Sequence, residues 1–275
     1  MVKLSFFRYS ILTISLFLLL NRSVLAEGGI RVLGELTQEK SVKSGNKYDG
    51  CFLIKNTGPA ACKVRIYQTD YFFYADGTNI YGNPGAAPQS NAKWITLSSN
   101  YITIPGNDTA TVNYRVEVPP NKELRGTYWS MVMVEPVEDA AGQVSQPKGK
   151  AVLGLKAVIR YGIQVITNIE NTGARRIEFT GKKLIREDGK NILQLDIKNS
   201  GERWLSPTVF VQLFDKNGKK TGDFHTGKLR IFPTCSVRCK INLENVTSGK
   251  YKAVVIVDNG DQYVFGANYD LTVEK

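Results

Sequence analysis

The chain has 275 residues, with 36 Lys and Arg against 25 Asp and Glu and a formal charge of +11. A single histidine, His225, argues against His-based acid–base catalysis and against a His-rich metal site. The basic residues are scattered, with Arg175-Arg176 and Lys182-Lys183 the only dense groups, which argues against a nucleic-acid arm.

The chain opens with Lys3 and Arg8, an apolar run from Ile11 to Leu20, and Ala26 before Glu27. A basic start, a short apolar stretch and a small residue at the boundary read as a signal peptide over 1–26. The apolar run is about half the roughly 20 residues a spanning helix requires. No later stretch is apolar enough to span a bilayer, so a soluble extracytoplasmic protein without stable membrane insertion is expected. The leader carries Lys3, Arg8 and Arg22 and no acid, leaving 33 basic against 25 acidic residues, a charge of +8.

From there the pattern is strand-like. Alternating runs occur at Val64–Gln68, Tyr101–Ile104, Thr111–Val118, Ile192–Ile197 and Val209–Leu213. Turn signals separate them: Asn56-Thr57-Gly58-Pro59, Asp76-Gly77, Pro105-Gly106-Asn107-Asp108, Asp188-Gly189, Asn217-Gly218 and Asn259-Gly260. Short, evenly spaced strands of this kind predict an all-β chain of sandwiches or barrels. The halves echo each other. An apolar strand runs into Lys55-Asn56-Thr57-Gly58 and again into Lys198-Asn199-Ser200-Gly201, and each time a second strand returns. Asn and Gly tolerate positive φ, which suits a sharp loop there. The expectation is two immunoglobulin-like β-sandwich domains, 27–170 and 174–275, with the hinge at Asn171-Thr172-Gly173.

The cysteines form two close pairs, Cys51 with Cys62 and Cys235 with Cys239. In an oxidising compartment such pairs predict disulfides. The second closes only if the chain turns at 236–238, because four residues of extended strand span about 13 Å. No Gly-x-Ser-x-Gly elbow, phosphate loop or dinucleotide fingerprint is present. Glu135, Glu138 and Asp139 read as a solvated loop after a strand ending at Pro136. Trp94, Trp129 and Trp204 read as core. The run Tyr71-Phe72-Phe73-Tyr74, with Tyr81 nearby, must point to both faces of a strand and is a candidate exposed binding patch. No metal, cofactor or catalytic group is expected.

The order of several landmarks resembles the periplasmic pilus-assembly chaperones and their PapD-like relatives. These are Leu53-Ile54-Lys55-Asn56, Trp94–Ser98, Ile102–Gly106, Val118-Pro119-Pro120 and Arg125–Trp129, followed by a long last strand. The resemblance implies an angled pair of sandwiches and a non-enzymatic function. Such a chaperone holds unassembled secreted β-rich subunits by lending the last strand of its first domain, a β-augmentation, and an outer-membrane usher is a further partner. The matching stretch is 151–169, and its partner-binding residues would be Leu153, Leu155, Ala157, Ile159, Tyr161 and Ile163. Arg160 and Arg31 would hold the client's carboxylate. The closing Arg-Pro of the family pattern is absent, and Tyr71–Ala92 is longer than the usual loop. A surface or matrix adhesin with two binding sandwiches is the alternative expectation.

Overall fold

The computed structural model describes residues 29–137 and 158–274. Among them the chain is all-β and forms two sandwiches. Leu153, Leu155 and Ala157, the leader, Glu138 and Asp139 lie outside the described residues.

The first sandwich holds strands β1 (Ile30–Leu33), β2 (Thr37–Val42), β3 (Lys47–Asn56), β4 (Cys62–Phe73), β5 (Asn79–Gly82), β6 (Ile95–Leu97), β7 (Tyr101–Ile104), β8 (Thr109–Glu117), β9 (Gly126–Pro136) and β10 (Tyr161–Ile169). One sheet runs β1-β3-β8-β6, and the facing sheet runs β2-β10-β9-β4-β5, with β7 also on β4. Period-2 alternation decides what faces inward. On β3, Phe52 and Ile54 are buried while Cys51 and Leu53 face out. On β8, Val112, Tyr114 and Val116 are buried while Asn113 and Arg115 face out. Val64, Ile66, Val132, Val134, Ile163 and Val165 complete this core from the other sheet. Each such side chain contributes about 1.5–3 kcal/mol.

The second sandwich holds β11 (Ile177–Glu187), β12 (Lys190–Asn199), β13 (Thr208–Phe214), β14 (Lys220–His225), β15 (Ser236–Asn242), β16 (Gly249–Asp258) and β17 (Val264–Val273). Its sheets run β11-β12-β15 and β14-β13-β16-β17. Leu193, Leu195, Ile197, Val211, Leu213 and Val255 form its core.

The echoed loops have the same construction. Asn56 is buried at the end of β3; its Nδ2 donates to Ala60 O at 2.7 Å and its Oδ1 accepts from Gly58 N at 2.9 Å. Asn199 is buried at the end of β12 and repeats both bonds, to Arg203 O at 2.8 Å and from Gly201 N at 2.9 Å. Neither loop uses positive φ at its Asn or Gly. What the motif supplies is a side chain that satisfies buried backbone, not a left-handed backbone.

An aromatic seam joins the sandwiches. Trp129 and Phe232 stack with ring centroids 5.0 Å apart, and Phe72, Phe73 and Trp204 close around them. Phe72 and Phe73 are therefore spent on this internal contact, and Tyr81 remains the most exposed of the aromatic run, against Tyr71 at 5.1 Å.

Candidate functional site: the open edge of β10

β10 lies between β9, antiparallel along 161–169, and β2, parallel along 164–169. The expected free strand of 151–169 is thus corrected. Residues 164–169 are paired on both sides within the molecule, and among the described residues the strand runs from Tyr161, with 158–160 in no regular structure; 151–157 lie outside the described residues. The first bond to the β2 side is Gln164 N donating to Leu36 O at 2.8 Å. Even-numbered residues of β10 therefore turn their N–H and C=O toward β2. β2 stops at Thr37, so the peptide groups of Gly162 meet no strand on that side among the described residues.

Side chains sort by the same alternation. Ile163 and Val165 are fully buried in the first core, and Tyr161 packs against it. Ile163 therefore belongs to the chain's own core and is not available to a partner. Before the strand, Val158 is 42% and Ile159 63% exposed. On the outward face, Gly162 lies under Met131: a Cβ there would meet Met131 Sδ at 2.3 Å.

Arg160 is engaged. Its Nε lies 2.9 Å from Glu135 Oε2, while Arg65 approaches the other carboxylate oxygen at 3.6 Å. Tyr67 OH donates to Glu135 at 3.3 Å, and burial together with the adjacent carboxylate raises the Tyr67 phenol above its ordinary pKa. Glu135 is therefore a strand residue of β9 holding two arginines, not part of a solvated loop. Arg31 sits exposed on β1, in register with Lys55 of β3, on the sheet that faces β10. The structure does not bring Arg31 and Arg160 together.

A different cation stands where β2 begins. Arg230, from the second sandwich, donates through Nη1 to Thr37 Oγ1 at 2.6 Å and Gln164 Oε1 at 3.1 Å, with its guanidinium 5.5 Å from the Trp204 ring centre. Its partners are neutral. Glu39, nearby on β2, instead accepts from Trp204 Nε1 at 2.9 Å and from Asn168 Nδ2. Sequence reasoning missed Arg230 because it comes from a loop outside any motif and reaches the edge only through the contact between the sandwiches.

The expected disulfides are absent. Cys51 points outward from β3 and pairs by register with Asn113, while Cys62 lies on β4 of the facing sheet. Cys235 is buried in the aromatic seam, and Cys239 lies in the second core with its thiol donating to Leu195 O at 3.4 Å. The chain between the last two is extended along β15 rather than turned, so the distance stays too great. No group of metal-ligating side chains and no helix long and apolar enough to cross a membrane occurs among the described residues.

No family model matches this chain, and no curated protein does. Solved structures similar to it include the class 5 fimbriae chaperone CfaA, at 11% identity and a TM-score of 0.46, covering 90% of this chain and 100% of that one. The CsuC–CsuE chaperone–tip subunit complex of Acinetobacter baumannii matches at 12% identity and TM-score 0.42, covering 87% and 97%. A Salmonella enterica SafA pilin–SafB chaperone complex matches at 11% identity and 0.38, covering 89% and 96%. Each match spans most of both chains at low identity. What this chain binds is read from its own geometry.

Proposed function

We propose that this protein is a non-enzymatic, extracytoplasmic chaperone of the fimbria-assembly kind, which holds unassembled β-rich subunits in the periplasm by adding a client strand to the edge of β10. The observation that carries this reading is the limit of β2 at Thr37, which leaves the outward backbone groups of Gly162 without a strand partner among the described residues, beside exposed Val158 and Ile159. An open edge next to exposed aliphatic side chains is what strand addition requires.

The edge also favours a direction. A client strand continuing the line of β2 parallel to β10 would bring its C-terminal carboxylate to Thr37, beside Arg230. An antiparallel strand would bring its ammonium there instead. A guanidinium held only by neutral acceptors favours the carboxylate. Arg230 thus takes the part that the family resemblance gave to Arg160 and Arg31.

The test is co-expression in the periplasm with β-rich subunits encoded beside the gene, followed by purification. The native chain is expected to co-elute with a subunit. Ile159→Asp is expected to lose it with an unchanged melting temperature, and Arg230→Gln to weaken it about tenfold or more, a change of at least about 1.4 kcal/mol. Retention of the subunit by Ile159→Asp would overturn strand addition at this edge. Binding only to assembled fibres or to glycan would make the protein an adhesin instead.

A further inference from the structure

Every sheet edge is a template for pairing unless it is short, charged or covered. β1, β5, β6 and β7 have four residues or fewer. β2 carries Glu39 and Lys40, β11 Lys182 and Lys183, β14 Lys220 and Asp223, and β15 Arg238 and Lys240. β17 has one charged residue, Asp270, and its first six residues are the longest uncharged stretch on these edge strands. It has ten residues, and Val264–Tyr269 contains neither charge nor proline.

Two observations fix which backbone groups of β17 are open. Asn259 N donates to Tyr263 O at 3.2 Å, so 259 and 263 form a hydrogen-bonded pair at the hairpin. Alternation along the ladder with β16 then leaves 264, 266, 268 and 270 in non-hydrogen-bonded pairs, their N–H and C=O turned outward. Independently, Lys182 Nζ reaches Asp270 O from outside at 3.4 Å while lying 4.8 Å from the Tyr269 ring centre. Lys182 closes the edge at 270. The groups of Val264, Gly266 and Asn268 have no partner among the described residues.

Gly266 sits in the middle of that stretch. Its φ is not positive, and a Cβ there would meet only Val255 O at 3.4 Å, an ordinary contact. Neither backbone nor crowding calls for glycine, which costs about 0.5–1 kcal/mol inside a strand. Close approach of another backbone does call for it.

We propose that the outer edge of β17 is an assembly surface whose partner is a second copy of this chain, the two β17 strands pairing antiparallel about a two-fold axis at Gly266. The sequence is self-complementary in that register. Within the open stretch Gly266 faces Gly266 and Val264 faces Asn268, so no charges meet. The pairing satisfies each open group and joins two four-stranded sheets into one. The contact is small, so the dimer forms at high protein concentration.

Sedimentation of the full mature chain across a concentration series is the test. The native chain is expected to pass from monomer to dimer, and amide exchange at Gly266 and Asn268 to slow with concentration. Gly266→Asp and Gly266→Lys place like charges opposite each other at the axis, and each alone is expected to dissociate about tenfold or more readily. Their equimolar mixture is expected to restore the dimer as a heterodimer. Asn268→Pro removes an outward N–H and is expected to give a monomer with native circular dichroism. Ile159→Asp, at the β10 edge, is expected to leave the dimer intact. A native chain that stays monomeric throughout the series would overturn the proposal. So would a mixture that fails to restore association while both variants are folded, or dimers lost to Ile159→Asp but not to the β17 variants.

Discussion

Asn199 shows how much one side chain carries. Its Nδ2 satisfies Arg203 O and Ile231 O, and its Oδ1 accepts from Gly201 N, from a buried position at the foot of a half-buried loop beside the linker. Asn199→Ala leaves Arg203 O and Gly201 N without this partner, while Ile231 O keeps the bond from Leu205 N, a loss of about 1–3 kcal/mol for each group left unpaired. Urea unfolding should place the variant at least about 2 kcal/mol below the native chain, and Asn56→Ala should behave alike by the same geometry. The cysteines give a second expectation. Cys51 is exposed, whereas burial pushes the Cys235 and Cys239 thiols from 9.0 up to about 11. A thiol-specific reagent at neutral pH should therefore label Cys51 first and reach the two buried thiols only on unfolding. Because their pKa is raised in the fold, the folded state favours the neutral form. That contribution is complete below pH 9 and is lost as the pH rises toward 11. The urea midpoint should fall across this window, and Cys235→Ala should flatten the fall.

At the scale of elements, period-2 alternation made most strands legible, because a strand with one wet face writes its burial into every second residue. The Lys-Asn-x-Gly echo located equivalent loops in both sandwiches, although its physical use lies in the Asn amide rather than in φ. β10 resisted the same reading. It is covered by its own core on one face and by Met131 and the aromatic seam on the other, where Gly162, Gln164, Ile166 and Asn168 read as a mixed face, so sequence could not say which face would meet a partner. Where β2 stops is also invisible, since a register of strands distant in sequence leaves no local mark. The structure separates two neighbours that sequence treated alike. Ile163→Asp places a carboxylate in the core and should cost more than about 4 kcal/mol, enough to abolish the folded state in a thermal melt. Ile159→Asp, on a side chain 63% exposed, should shift the melt by no more than the range of ordinary surface changes, within about 0.5 kcal/mol. Equal damage from both would mean that 158–160 is covered in solution.

Over the whole molecule, the two sandwiches are held as one body by an elbow and a seam. At the elbow, Gly126 has φ +76° and a Cβ there would fall 2.2 Å from Glu202 O, while Gly173 at φ +89° lies against Gly126 itself. Thr127 N donates to Glu202 O at 2.8 Å, and the Glu202 carboxylate accepts from Ala174 N at 3.0 Å, so the linker, the start of β9 and the loop after β12 meet at one point. At the seam, Phe232 touches Trp129, Phe73 and Trp204. This arrangement sets where Arg230 meets the β10 edge, so the proposed site exists only while the sandwiches stay docked. Two cores joined through buried aromatic rings should unfold in one calorimetric transition. Phe232→Ala removes the central ring, at a cost of about 3–5 kcal/mol, and leaves both cores intact, so it should split the transition in two. Leu195→Ala removes about 2–5 kcal/mol from the second core without touching the seam, and should lower the transition temperature while keeping a single peak. A single peak for Phe232→Ala would mean that the elbow alone couples the sandwiches, and Gly126→Val would then be the substitution that separates them.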